Sequence, residues 1–322
     1  MKQGSSLLAP MMGITDHPGF LYSCKMKGVC DVIVLPMMFL EGIASNSRYI
    51  EDILTVLFDN VQSFDFRPII VQLTGKNLDV LDQVVQVLSS YDVQGINLNM
   101  GCPSYRMMVQ GLGASMLDRP EESYAMIDAI TKQSSFPVSV KMRIFGINQP
   151  DISGTIQFCK TLADRNVDWI AIHGRTRRQG YKGMANWDAI KEIHEASSLF
   201  LVGNGDIKSW KQGSNMVEQG YCDAFMIGRA AVNDPRAFSP SFESGKTKTA
   251  SDALDLFKEI TGFLIKNSDK ASKLLVMHEI RKVALALSRQ VIGGRTFRAD
   301  VMKATDLAHV VALFEQLNVA SQ

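Results

Sequence analysis

The chain has 322 residues, 46% of them hydrophobic and 21% charged, with 34 basic against 33 acidic side chains. These proportions exclude global disorder and collagen-like order, and near-zero net charge announces no polyanionic partner. No apolar run reaches the roughly 18 residues of a membrane span, and Met1 to Pro10 is too short and broken for a signal-peptide core. The five cysteines, Cys24, Cys30, Cys102, Cys159 and Cys222, include no CxxC pair. No metal site is therefore expected, and reduced thiols in a cytoplasmic setting are.

Eight short apolar runs recur in chain order: Leu7–Pro10, Val32–Leu35, Ile69–Leu73, Gly95–Asn99, Val138–Met142, Trp169–His173, Leu199–Gly203 and Ala224–Gly228. They are nearly continuous in apolar character, as strands buried on both faces are. Helix-length segments separate most of them, with 3.6-residue spacing clearest at Leu78, Leu81, Val84, Val85 and Leu88, and at Ile156, Cys159, Leu162 and Ala163. Eight right-handed βαβ units predict a (β/α)8 TIM barrel. An open doubly wound sheet is the competing architecture, but no GxGxxG follows the first strand. Gly245 to Ser251 reads as a polar linker in which Ser251 or Asp252 would cap the next helix. Helical patterns follow near 252–267, 272–289 and 304–317. Residues 246–322 hold 12 basic and 8 acidic side chains, a small basic helical domain after a barrel of residues 1–245.

Barrels of this kind gather function at the C-terminal ends of their strands. Here those ends carry Pro10-Met11-Met12, Gln72, Asn97-Leu98-Asn99-Met100-Gly101-Cys102-Pro103, Lys141 with Arg143, His173-Gly174-Arg175-Thr176-Arg177, Asn204-Gly205-Asp206 and Gly228-Arg229. Packing alone does not require polar groups at nearly every strand end. The glycines after strands seven and eight, with Arg229, suit a phosphate; tight turns are the plainer alternative. Lys141 fits a Schiff base, a cation facing an anionic cofactor edge, or an ion pair with a strand carboxylate. Gln72 can donate and accept at a flavin edge. His173 is either a site group or a satisfied core imidazole. Cys102, between Gly101 and Pro103, is oddly placed for packing, and thiols titrate near ~8.5, so one here could act as a general acid. The other four cysteines read as structural.

Together the segments Leu8-Ala9-Pro10-Met11-Met12-Gly13-Ile14-Thr15-Asp16, Val71-Gln72-Leu73, Asn97 to Pro103, Val138 to Arg143, Ile172-His173-Gly174-Arg175-Thr176, Asn204-Gly205-Asp206-Ile207 and Met226 to Ala230 resemble the tRNA-dihydrouridine synthase family, in family order over residues 7–238. The resemblance implies an FMN-binding barrel with a tRNA-binding helical domain at 246–322. It implies that Pro10, Met11 and Met12 line the flavin and that Gln72, Lys141 and His173 contact its ring. Asn204, Gly205, Asp206, Gly228 and Arg229 would hold the phosphate end. Asn99 would orient the uracil and Cys102 would give a proton to C5, with hydride passing from FMN N5 to C6 and NADPH as reductant. Arg143 and Arg175 would lie beside the pocket, and Arg175, Arg177, Arg178 and Lys182 would grip the RNA around an extruded base. Gln179 to Gly183, with Asn186-Trp187, is closer to the branch acting on uridine 16; uridine 20 or 20a is the alternative. Where the family often has Lys and Val-Asn after the cysteine, this chain has Ser104 to Val109. A monomer is expected. A small-molecule FMN barrel dehydrogenase, an aldolase using Lys141, and a catalytically silent RNA-binding module are the other readings.

Overall fold

The computed structural model describes every residue except 14, 16–19, 22–29, 49–53, 55–67, 245–247, 267–272, 292 and 321–322. Cys24, Ile14, Asp16 and the Gly245–Thr247 part of the expected linker therefore lie outside the described residues. Among the described residues nine parallel strands form the sheet: β1 (Ser6–Leu8), β2 (Val32–Val34), β3 (Met38–Phe39), β4 (Ile69–Thr74), β5 (Gly95–Met100), β6 (Val138–Arg143), β7 (Trp169–His173), β8 (Phe200–Asn204) and β9 (Ala224–Ile227). β1 pairs with both β9 and β2, and β2 pairs with β4, so eight of them close into a ring. This is the TIM barrel expected from the eight apolar runs. The extra strand, β3, pairs with the end of β4 through Met38 opposite Leu73 and Phe39 opposite Thr74. Sequence reading missed it because the second apolar run stops at Leu35, before Pro36, which lacks the N–H a ladder needs.

The chain divides into two compact units. The first comprises Met1–Pro10, Asp31–Ile207 and Lys211–Gly228, and contains the barrel. Leu7, Ala9, Val32, Val34, Ile70, Trp169, Ala171, Val202, Ala224 and Met226 form one buried cluster. They alternate along their strands with buried residues of the opposite face, such as Leu8, Ile33, Val71, Ile170, Leu201 and Phe225. The expected crossover helices form at Leu81–Ser89, which buries Leu81, Val84 and Leu88, and at Ile152–Ala163, which buries Phe158, Cys159 and Leu162.

The second unit comprises Met11–Cys30, Lys208–Trp210 and Arg229–Gln322. Its helices Ala250–Lys266, Lys273–Leu287, Gly294–Val301 and Leu307–Ala320 share a core that includes Phe257, Phe297 and Phe314. Phe314 lies 4.9 Å from Phe257 and 4.4 Å from Phe297 between ring centroids. The Gly294–Val301 helix was not legible, since only Phe297 and Val301 of its residues are large and apolar. The capping expectation is corrected. The helix begins at Ala250, so Thr249 is the cap: its hydroxyl accepts from the Asp252 N–H at 3.0 Å, and Asp252 accepts from the Thr249 N–H at 3.2 Å. Lys248 is no loose linker residue either. It is buried, donates to the Asn233 carbonyl at 2.8 Å, and lies 3.9 Å from the Asp234 carboxylate.

Within the barrel unit, Gly213 of the helix Trp210–Glu218 packs directly on Phe225 of β9; a Cβ there would come within 2.1 Å of the ring. Alanine in place of a helical glycine ordinarily stabilises by about 1 kcal/mol, whereas overpacking costs about 1–3 kcal/mol. Overlap this deep makes the second effect dominate. Gly213→Ala is expected to lower the thermal midpoint, and an unchanged or raised midpoint in a melt would contradict this packing.

Candidate active site

Period-two alternation and the parallel register assemble the candidate site. In the ladders Gln72 of β4 lies opposite Asn97 of β5, and Asn97 lies opposite Ser139 of β6. Asn99 lies opposite Lys141, Arg143 opposite His173, and His173 opposite Asn204. Toward the C-terminal ends, then, polar side chains follow the apolar Ile70, Ala171 and Val202 two residues along the same strands. Gln72, Asn97, Asn99, Ser139, Arg143, His173 and Asn204 are all buried. Buried polar groups are costly unless hydrogen-bonded, and each of these has partners.

The amides of Gln72 and Asn99 bond to each other, Asn99 Nδ2 donating to Gln72 Oε1 at 2.8 Å. Asn99 Oδ1 accepts the backbone N–H of Cys102 at 3.0 Å, and the Cys102 carbonyl accepts the N–H of Ala114 at 2.9 Å. Gly113 has a φ of +62°, and a Cβ there would stand 2.6 Å from the Cys102 carbonyl oxygen. The cysteine is thus clamped from both sides. Among the described cysteines it alone is half-buried, at a strand end. Cys30, Cys159 and Cys222 are buried, and burial pushes the last two thiols up to about 12, leaving them as protonated packing groups.

Lys141 Nζ donates to Asn204 Oδ1 at 3.0 Å, and Asn204 Nδ2 donates to the Met226 carbonyl at 2.9 Å. Among the described residues no carboxylate pairs with Lys141, so the ion-pair reading fails. Desolvation, reinforced by the Arg143 charge, draws its pKa down to about 7. A cation in this position fits an anionic group. His173 Nε2 lies 3.1 Å from Arg175 Nη1. Because a guanidinium only donates, Nε2 accepts and the ring proton sits on Nδ1. Arg175 is itself gripped by both oxygens of Asp206, at 2.9 and 2.7 Å, and by the carbonyls of Lys182 and Gly183.

Several expectations shift against this geometry. Asp206, expected at a phosphate, has its carboxylate engaged by Arg175 and by the Ala185 N–H at 2.8 Å. Arg143 and Arg175, expected to meet RNA, are each 2% exposed. Arg143 donates to the carbonyls of Gly101, Thr176 and Gly180, tying the loop after β5 to that after β7. Burial lowers its pKa to about 10, so it remains cationic at neutral pH. Arg177 pairs with Asp118, and the exposed Arg178 donates to Asn148 at 2.6 Å. Gly205 is buried and its carbonyl accepts from the Trp187 indole at 3.1 Å. Pro10 and Gly228 belong to the barrel unit, whereas Met11, Met12 and Arg229 belong to the second. Met12 and Arg229 are exposed, and the Met11 N–H donates to Thr15 Oγ1 at 2.7 Å. Sequence reading assigned no role to Tyr181, an exposed ring 6.2 Å from His173 and 5.9 Å from the Arg143 guanidinium carbon. It gave no individual role to Asn97, named only within its strand-end segment, and it passed over Ser139, which reads as ordinary strand interior. Among the described residues no cluster of metal-ligating side chains occurs, and no helix is long and apolar enough to cross a membrane.

Amides, a cation, an imidazole and a thiol at one end of a parallel barrel define an enzyme of the barrel class. The chain belongs to the dihydrouridine synthase family: the family model described as Dihydrouridine synthase (Dus) matches residues 7–321. A probable tRNA-dihydrouridine synthase of Aquifex aeolicus is 26% identical over 98% of this chain and 96% of its own length. A tRNA-dihydrouridine(16) synthase of Haemophilus influenzae is 34% identical over 52% of this chain and 54% of that one. Among solved structures, a 2-naphthoyl-CoA reductase complex shares the fold with a TM-score of 0.55 at 9% identity, covering 72% of this chain and 49% of that chain.

The lowered Lys141 pKa has a consequence for stability. Between about 7 and the ordinary 10.5 the unfolded chain holds a proton that the folded chain has lost. Stability therefore rises with pH across that window, by at most about 1.4 kcal/mol per unit. Denaturant titrations of the ligand-free protein from pH 6 to 9 should show this rise, and Lys141→Met should flatten it. Identical pH profiles for the two proteins would show that the ammonium is not desolvated.

Proposed function

We propose that this protein reduces a uridine in the D-loop of tRNA to 5,6-dihydrouridine with FMN, at position 16. The observation that carries the reading is the clamped Cys102 beside the Gln72–Asn99 amide pair, with Lys141, which has no carboxylate partner among the described residues, across the ladder from Asn99. The donor set fits the cofactor: Lys141 would hold its anionic edge, and Gln72 retains one amide N–H and one acceptor position for its ring. His173 would contact the same ring. Asn204, Gly205 and Gly228 would serve its phosphate end. FMN, re-reduced by NADPH, would supply the hydride that adds to C6.

The chain's own residues do the rest. Cys102 gives its proton to C5 and must regain one from solvent before the next turnover. Asn99 orients the uracil beside the thiol. The base is unreachable within folded RNA and has to be extruded; Tyr181 presents an exposed ring at the mouth on which it can stack. The basic helical segment 246–322, with Arg177, Arg178 and Lys182, grips the RNA backbone. Position 16 rests on the Gln179 to Gly183 and Asn186-Trp187 segments and on the relative from Haemophilus influenzae named for that position, whereas other relatives are named for positions 20a and 20b.

Dihydrouridine mapping in tRNA from cells lacking this protein should show loss at position 16, restored by the wild-type gene. Loss at 20 or 20a instead would reassign the position, and no loss anywhere would sink the enzyme reading. Purified Cys102→Ala should stay yellow while dihydrouridine formation falls by about 10²-fold or more, the usual contribution of a general acid. Full turnover by that variant would remove the thiol from the chemistry. A colourless wild-type protein whose Lys141 is trapped by borohydride would point to an aldolase.

A further inference from the structure

Four buried polar side chains lie between Cys102 and the strand backbone, and their hydrogen bonds all run in one direction. The Cys102 N–H donates to Asn99 Oδ1 at 3.0 Å; Asn99 Nδ2 donates to Gln72 Oε1 at 2.8 Å. Gln72 Nε2 donates to Asn97 Oδ1 at 2.7 Å, and Asn97 Nδ2 donates to Ser139 Oγ at 2.9 Å. The Ser139 hydroxyl ends the chain by donating to the Ile96 carbonyl at 3.1 Å. A backbone N–H can only donate and a carbonyl can only accept. The two ends therefore leave one polarity for all three amides. Reversing any single amide would set donor against donor or acceptor against acceptor in a dehydrated interior, where such mismatches are most costly.

We propose that Asn97, held by Ser139, is a positioning residue. Through Gln72 and Asn99 it sets which way the amide edge of the site faces and holds the loop that carries Cys102. The inference rests on reading Cys102 as the proton donor for its consequence, but not for its test. Among the described residues the Asn97 side chain bonds only to Gln72 and Ser139, so its influence on Cys102 has to pass through the relay. The register makes this possible, since Gln72, Asn97 and Ser139 occupy one row across β4, β5 and β6.

The test is the rate at which iodoacetamide alkylates Cys102 in the full-length protein, followed by mass spectrometry of the peptide containing it. Asn97→Leu removes the acceptor for Gln72 and should speed alkylation by at least about threefold as the loop loosens. Asn97→Asp, kept protonated by burial, still accepts from Gln72 Nε2 through its carbonyl oxygen and donates its O–H to Ser139 Oγ, so the relay keeps its direction. This variant should return the rate to near that of wild type, a rescue that a merely structural role would not produce. Ser139→Ala, the smaller change, should move the rate in the same direction as Asn97→Leu and carries the test if the leucine variant does not fold. An unchanged rate in Asn97→Leu and Ser139→Ala, or no rescue by Asn97→Asp, overturns the proposal. Alkylation needs neither tRNA nor FMN. The expected pattern in a protein that makes no dihydrouridine would sink the enzyme reading alone, and dihydrouridine formation without the pattern would sink the relay alone.

Discussion

The parallel register across β4, β5 and β6 is the constraint on which the candidate site depends. It sets Gln72, Asn97 and Ser139 in one row and Asn99 opposite Lys141. Side chains on a strand alternate between faces, so a slip of one residue in any of these ladders would move the amides to the opposite face. The closed ring leaves no free edge along which such a slip could be relieved. A site built from side chains on several strands is thereby held as precisely as the barrel itself.

The polar end of the barrel shows how a protein keeps charge and amide groups in a dry interior. Nearly every donor is matched. Arg143 and Arg175 are the largest fully buried side chains, and both bind backbone carbonyls of the loop after β7. Asp206 supplies the counter-charge to Arg175. The arginines thus act as internal braces that hold Gly101, Gly180 and Gly183 in place. Lys141 is the exception: it bonds a neutral amide, and its proton is loosely held. Among the described residues no carboxylate stands opposite it, so its burial is not offset by a counter-charge.

Much of this was legible in the residue order. Eight apolar runs with amphipathic segments between them specify a parallel barrel, since strands buried on both faces cannot alternate. The polar residues at the ends of those runs stood out because packing gives them no reason to be there. Cys102 stood out because of Gly101 and Pro103 on either side. Tyr181 and Ser139 did not, for opposite reasons. A tyrosine in a loop carries no periodicity, and a serine inside an apolar strand is indistinguishable from a tolerated defect until its neighbours on adjacent strands are known.

The sequence by itself determined the barrel and the family, and it named a set of candidate side chains, because strand periodicity and local motifs are properties of neighbouring residues. Only the tertiary structure decided which polar groups are used internally and which remain for a ligand. Arg175 and Asp206 looked like ligand-binding residues and are bonded to each other, while Lys141 looked open to an ion pair and has none among the described residues. The physical reason is that a hydrogen-bond partner more than thirty residues away is chosen by strand register and loop path, neither of which is encoded in any one segment of the chain.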